Sequence, residues 1–219
     1  DTTAPTVTLL SPTNNAKVNT GLLSWNPATE SVGLASSPYV VKVSQNPDMS
    51  SPDITSSAQS GTTYTALSLV SGTTYYWQVT VTDAAGNSGT SAIWSFTYDT
   101  TAPVIIVPSN ITEEADDKDG KSVTFVATAT DDTDGSITPT CTFSTGFKFP
   151  IDTTIVTCTA TDIAGNPATA SFTVTIRDTT APTVTLLSPT NNAKVNTGLL
   201  SWNPATESVG LASSPYVVK

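Results

Sequence analysis

The sequence predicts an all-β chain: two β-sandwiches in tandem, joined by short linkers, and the opening strands of a third. Three observations predict it. Val, Ile, Leu, Trp and Tyr alternate with Thr and Ser in short runs, the period of strands with one wet face. Gly, Asn, Asp and Pro punctuate those runs, and no segment carries a helical period. The motif DTTAP stands at Asp1, Asp99 and Asp178 and divides the 219 residues into 1–98, 99–177 and 178–219. The last stretch repeats residues 1–42 letter for letter, surface-type Ser, Thr and Asn included, and so reads as a copied module.

In the first segment the expected strands are, in order, TVTLL, GLLSW, YVVKVS, TYTAL, TYYWQVTVTD and SAIWSFTYD. Leu23 and Trp25 share one face of the second, and Tyr75, Trp77, Val79 and Val81 share one face of the fifth, which suits two sheets over a single core. Leu69, Gly72 and Tyr75, spaced L-x-x-G-x-x-Y, resemble the tyrosine corner of a fibronectin type III domain or a bacterial immunoglobulin-like sandwich. The resemblance implies a core role for Trp25. Core packing is also expected of Trp77 and Tyr75, in preference to a sugar-stacking platform, with Tyr76 and Trp94 as the aromatics placed less firmly inside.

In the second segment Val123, Phe125, Ala127 and Ala129 alternate, as do Val156, Cys158 and Ala160, then Phe172, Val174 and Ile176. This predicts another sandwich. The order ATATDDTDG, Cys141, FPIDTTIVTCTATDIAGN and SFTVTIRD resembles the HYR (hyalin repeat) module over its full 79 residues. Asp152 and Ala170 depart from that pattern, where many members have Gly and Cys. The fold implied by the resemblance puts Cys141 and Cys158 on neighbouring strands, where they form either a cross-strand disulfide or two buried thiols. A disulfide points outside the cytosol. Asn110 opens an N-I-T glycosylation sequon.

An immunoglobulin-like sandwich gathers its linker, BC loop and FG loop at one pole. In the second segment that pole collects Asp99, Asp131, Asp132, Asp134, Asp162 and Asn166, an oxygen-only set of the kind Ca²⁺ takes. The same loops also read as ordinary turns in which Asp caps its own backbone. The matching pole of the first segment offers Asp1, Asp83 and Asn87, and the opposite pole of the second offers Asp116, Asp117, Asp119, Asp152 and Asp178. The stretch EEADDKDGK reads equally as a solvated acidic turn.

Composition narrows the function. The net charge is −10, and residues 99–177 carry eleven acids against four bases, so a phosphate-tracking nucleic-acid surface is not expected. There is no His and there are two Cys, which removes Ser–His–Asp and Cys–His catalysis and His-ligated zinc. No run approaches the roughly 18 apolar residues of a membrane span. The expected function is a non-catalytic extracellular or cell-surface repeat of a structural or adhesive stalk or filament, as in bacterial adhesins with tandem immunoglobulin-like domains. Its partners are then neighbouring repeats and a surface ligand, and calcium is its one expected cofactor. The alternative is a spacer or carbohydrate-binding accessory in a large secreted enzyme. The letter-perfect repeat predicts that the array continues with the residues that follow Lys42, although a donated strand would also complete the copied segment.

Overall fold

The computed structural model describes residues 1–194, 196, 198–207, 209 and 210. The chain divides into two compact units. The first gathers residues 1–104, 129–138 and 160–168, and the second 105–128, 139–159 and 169–219. The loops 129–138 and 160–168 of the second sandwich segment belong to the first unit, in which Asp134 pairs with Lys17 and Asn166 donates to the Asp99 carbonyl.

In the first unit, strands Leu9–Ser11, Leu22–Trp25 and Thr63–Thr65 form one sheet, with Leu22–Trp25 in the middle. The second sheet runs in the order Ala16–Val18, Trp94–Tyr98, Thr73–Asp83, Leu34–Ser44 and Ile54–Thr55, and Ser88–Thr90 pairs onto Thr73–Asp83. Between them lie Leu23, Trp25, Val41, Val43, Trp77, Val79, Val81 and Phe96, all buried. Thr73–Asp83 shows why the alternation is legible. Paired on both sides, it sends every second residue into the core. Tyr75 reaches back so that the Val70 N–H donates to its hydroxyl at 3.0 Å, the expected corner. Ala16–Val18 was not expected. It pairs in parallel with Phe96–Tyr98, a contact that no local pattern announces.

The second unit contains the parallel pair Ile111–Glu114 with Val174–Arg177, and the antiparallel pairs Thr140–Cys141 with Cys158–Thr159 and Lys121–Ser122 with Lys148–Phe149. Its core holds Ala115, Val123, Phe149, Val156, Cys158, Phe172, Val174 and Ile176, with Phe125 and Phe143 packed against them. Cys141 and Cys158 face each other across the sheet and are joined as a disulfide. Residues 123–127 are not a regular strand, although the expected alternation is partly kept, with Val123 buried and Phe125 half-buried. The Val123 N–H donates to the Phe147 carbonyl and the Phe125 N–H to Thr145 Oγ1, a side-chain substitute for a ladder bond. Gly120 closes the acidic turn with φ +106°, where a β-carbon would stand 1.8 Å from the Phe149 carbonyl oxygen.

The copied segment pairs Leu186 with Trp202 as Leu9 pairs with Trp25. Its expected third strand, at 211–219, lies outside the described residues. Leu186 is 76% exposed where Leu9 is 6%, since Leu9 is covered by the rest of its sandwich. No described helix is long and apolar enough to cross a membrane.

Candidate cation site at the Asp99 linker

Three carboxylates converge in the first unit. Asp99 follows strand Trp94–Tyr98, Asp131 ends strand Thr128–Asp131, and Asp162 follows strand Asp152–Thr161. Each contributes an oxygen to a group whose members lie within 4.8 Å of one another, and the residues are 0%, 8% and 7% exposed.

Each acid is fixed by its own turn. The Asp99 N–H donates to the Val18 carbonyl at 2.9 Å, while Asp99 Oδ1 accepts from the Thr101 N–H at 3.0 Å and from Ser71 Oγ at 3.3 Å. Asp131 Oδ1 accepts from the Thr133 and Asp134 N–H groups, both at 2.9 Å. Asp162 takes the Asn166 N–H on Oδ1 and the Asn166 amide on Oδ2, both at 2.7 Å. That same amide donates to the Asp99 carbonyl at 2.9 Å and so ties the FG turn to the linker. Asp99 Oδ2 and Asp131 Oδ2 are buried and have no hydrogen-bond partner. A buried carboxylate oxygen without a partner is costly, and Asp99 and Asp131 each carry one beside Asp162.

Of the six residues expected at this pole, Asp99, Asp131 and Asp162 meet, with Asn166 bonded to two of them. Asp132 is exposed, its Oδ1 only 3.5 Å from Thr133 Oγ1. Asp134 turns away. Its Oδ1 pairs with Lys17 Nζ and its Oδ2 accepts the Ile163 N–H at 2.6 Å. Burial pushes the Asp134 carboxyl up, but those two partners outweigh it and hold the group below its ordinary value.

At the other pole of the first sandwich, Asp1, Glu30 and Asp83 also approach within 4.8 Å. Asn87 repeats the role of Asn166. It bonds both Asp83 oxygens at 2.8 Å and donates to the Asp1 carbonyl at 3.2 Å. Burial raises the Asp83 carboxyl, and the Asn87 bonds more than reverse this, leaving it below the ordinary value. Glu30 was missed by sequence reasoning. Its place in the loop NPATESVG, the counterpart of DDTDG, was the signal.

Asp116, Asp117, Asp119, Asp152 and Asp178 are not gathered into a cluster among the described residues. Asp117 takes Lys148, Asp116 takes Lys121, and Asp119 takes Lys118. Asp152 accepts the N–H of Thr153 and Asp178 that of Thr180. The Lys148 bond is the chief cause that lowers the Asp117 carboxyl. Glu114, which the sequence did not single out, clamps the third linker. Its carboxylate accepts the Thr179 N–H at 2.5 Å and the Thr179 and Thr180 hydroxyls, bonds that lower its pKa. Asn110 is exposed, its Oδ1 accepting the Thr173 N–H.

Two families match the chain in comparison with known proteins. Residues 5–100 match the Rha78A-like, N-terminal immunoglobulin domain, and residues 98–176 match the HYR domain. The chain is 34% identical over 206 residues to hyalin of Strongylocentrotus purpuratus, an alignment covering 90% of this chain and 16% of hyalin. It is 33% identical over 150 residues to the serine-rich adhesin for platelets of Staphylococcus aureus (strain MRSA252), covering 58% of this chain and 11% of the adhesin. It is 30% identical over 187 residues to chitinase A1 of Niallia circulans, covering 81% of this chain and 24% of that enzyme. The chain thus spans under a quarter of the length of each of these relatives. Two sandwiches, the tyrosine corner, the Cys141–Cys158 bridge and both sequence matches agree: the chain is an immunoglobulin-like domain followed by a HYR domain.

Proposed function

We propose that this chain is a non-catalytic, extracellular repeat unit of a structural or adhesive stalk or filament, and that calcium bound by Asp99, Asp131 and Asp162 fixes the linker between its modules. The carrying observation is the pair of buried, unpartnered oxygens on Asp99 and Asp131, two acids whose carboxylates meet that of Asp162 within 4.8 Å. Two unit charges about 4 Å apart repel by ~4 kcal/mol at an effective dielectric of ~20, and a divalent cation turns that repulsion into attraction. The donors are all oxygen, which suits Ca²⁺ better than Zn²⁺, and Ca²⁺ tolerates irregular geometry where Mg²⁺ does not. Asp99, Asp131 and Asp162 would hold the ion, and the Asn166 amide would keep the linker carbonyl and the FG turn together beside it. On the same reading Asp1, Asp83 and Asn87, with Glu30, form a second and weaker site, and Asn110 is exposed for a glycan. The disulfide supports an oxidising compartment.

Isothermal titration of the chelator-treated chain with calcium chloride tests this, with calorimetric melting beside it. Calcium at a hundredfold excess over the dissociation constant should stabilise the first unit by ~2.7 kcal/mol. Asp131→Asn, which keeps the Oδ1 acceptor, should abolish the gain. Identical melting with calcium and with chelator refutes the proposal.

The likeness to chitinase A1 favours a second reading, an accessory module of a secreted enzyme. That reading requires an aromatic platform, yet Trp25, Trp77 and Tyr75 are buried and Tyr76 and Trp94 are half-buried. Retention on insoluble chitin would favour it, and elution in the void would not.

A further inference from the structure

Two residues of strand Ala16–Val18 bond to two parts of the acidic pole, and the next residue lies near the third. The Val18 carbonyl accepts the Asp99 N–H at 2.9 Å. Lys17 Nζ donates to the Thr133 carbonyl at 2.9 Å and pairs with Asp134. Asn19 Nδ2 stands 3.6 Å from the point where a β-carbon on Gly165 would lie, against the Asp162–Asn166 turn. Asp134 in turn joins the two loops. Its N–H holds Asp131 Oδ1, and its Oδ2 holds the Ile163 N–H, next to Asp162.

We infer that Lys17 and Asp134 are positioning residues of the cation site: the pair locks the 131–134 turn against the 162–166 turn so that Asp131 Oδ2 faces Asp99 and Asp162. This rests on the calcium reading. Asp134 is then a strut and no ligand, both its oxygens being engaged elsewhere, and a lysine of the first sandwich becomes part of a site whose acids come from the linker and the HYR loops. Lys17 is 26% exposed and the Asp134 side chain 3%, so the pair is shielded enough to hold one geometry.

The sign of one substitution separates this role from plain electrostatics. Removing a positive charge beside three carboxylates should, by Coulomb's law alone, tighten calcium binding. If Lys17 instead positions Asp131, its removal should weaken binding, by ~10–100-fold if it behaves as groups that orient metal ligands do.

The experiment is calcium titration of the full chain and of Lys17→Met, Lys17→Arg and Asp134→Asn, with melting in chelator and amide exchange at Thr133 and Ile163 as controls. Lys17→Met and Asp134→Asn should each weaken binding about tenfold or more. The double variant should be no weaker than either alone, and Lys17→Arg should recover most of the loss. Amide protection at Ile163 should fall in Lys17→Met even in chelator, while the melting temperature in chelator shows that the chain is folded. If Lys17→Met binds calcium as tightly as wild type or more tightly, the inference is overturned and the calcium reading stands. If wild type takes up no calcium, the calcium reading fails and the inference falls with it.

Discussion

Opening the Cys141–Cys158 bridge isolates one contribution to the second unit. The cysteines are 17 residues apart, and Cys158 is fully buried at the centre of the HYR core. For a loop of that length the chain-entropy estimate gives ~3 kcal/mol at 25 °C. In a unit of this size 1 kcal/mol moves the melting temperature by roughly 4–8 °C, so reduction should lower the second unit's transition by about 12–24 °C. The first unit has no cysteine and its transition should stay within a few degrees. The assay is differential scanning calorimetry of oxidised protein, reduced and alkylated protein, and Cys141→Ser with Cys158→Ala, which avoids the bulk of an alkyl group. A fall of less than about 4 °C would mean that the reduced chain is already restricted or that the bridge adds little, and the entropic argument would fail.

Two further outcomes follow from the hydrogen bonds. Tyr75→Phe leaves the Val70 N–H without its acceptor and should cost ~1–2 kcal/mol by urea denaturation, whereas an unchanged midpoint would mean that water replaces the hydroxyl. Glu114 and Asp117 have pKa values held below 4.5 and 3.8, so their contribution is whole above those values and is lost as pH falls through the lower folded ones. Lys118 and Lys121 are raised above 10.5, and their contribution is whole below that value and lost as pH rises through the folded ones. The second unit's melting temperature should therefore be flat from about pH 5 to 9 and fall below about pH 4, less steeply in Glu114→Gln with Asp117→Asn.

The fold was most legible where a strand is long and paired on both sides. Tyr75, Trp77, Val79 and Val81 must alternate because one face of Thr73–Asp83 meets the core, and the sequence records that directly. Ala16–Val18 was invisible because each of its residues is half-buried and its partner, Phe96–Tyr98, is remote in sequence. The acids of the candidate cation site were legible because each sits in a motif that also supplies its turn. Their division of labour was not. Spacing places Asp131 and Asp134 in one loop, but only the fold brings Lys17 across 117 residues to take Asp134 and leave Asp131 to the pole. The same limit applies at the opposite pole. There lysines pair with Asp116, Asp117 and Asp119, three of the five acids that the sandwich pole made a candidate site, and Glu114 engages the linker.

The recurrence of DTTAP has a structural account in these bonds. At all three marks the Asp carboxylate accepts the N–H of the Thr two residues on, at 2.9, 3.0 and 3.1 Å, so the motif is a self-capped turn wherever it stands. At the first two marks the Asp carbonyl also receives the amide of the Asn that ends D-x-AGN, and that Asn in turn grips both oxygens of the motif's own Asp. Linker and FG turn are thus halves of one clamp, which is why the two motifs travel together. What differs is the linker Asp, exposed at Asp1 and buried at Asp99, and the third acid. In the second sandwich it is Asp131, short, buried and with one oxygen free of partners. In the first it is Glu30, longer and half-buried, with one oxygen already accepting from Ser31 and Val32. A clamp built twice from the same parts therefore has its least compensated carboxylates at Asp99, where two buried oxygens lack partners.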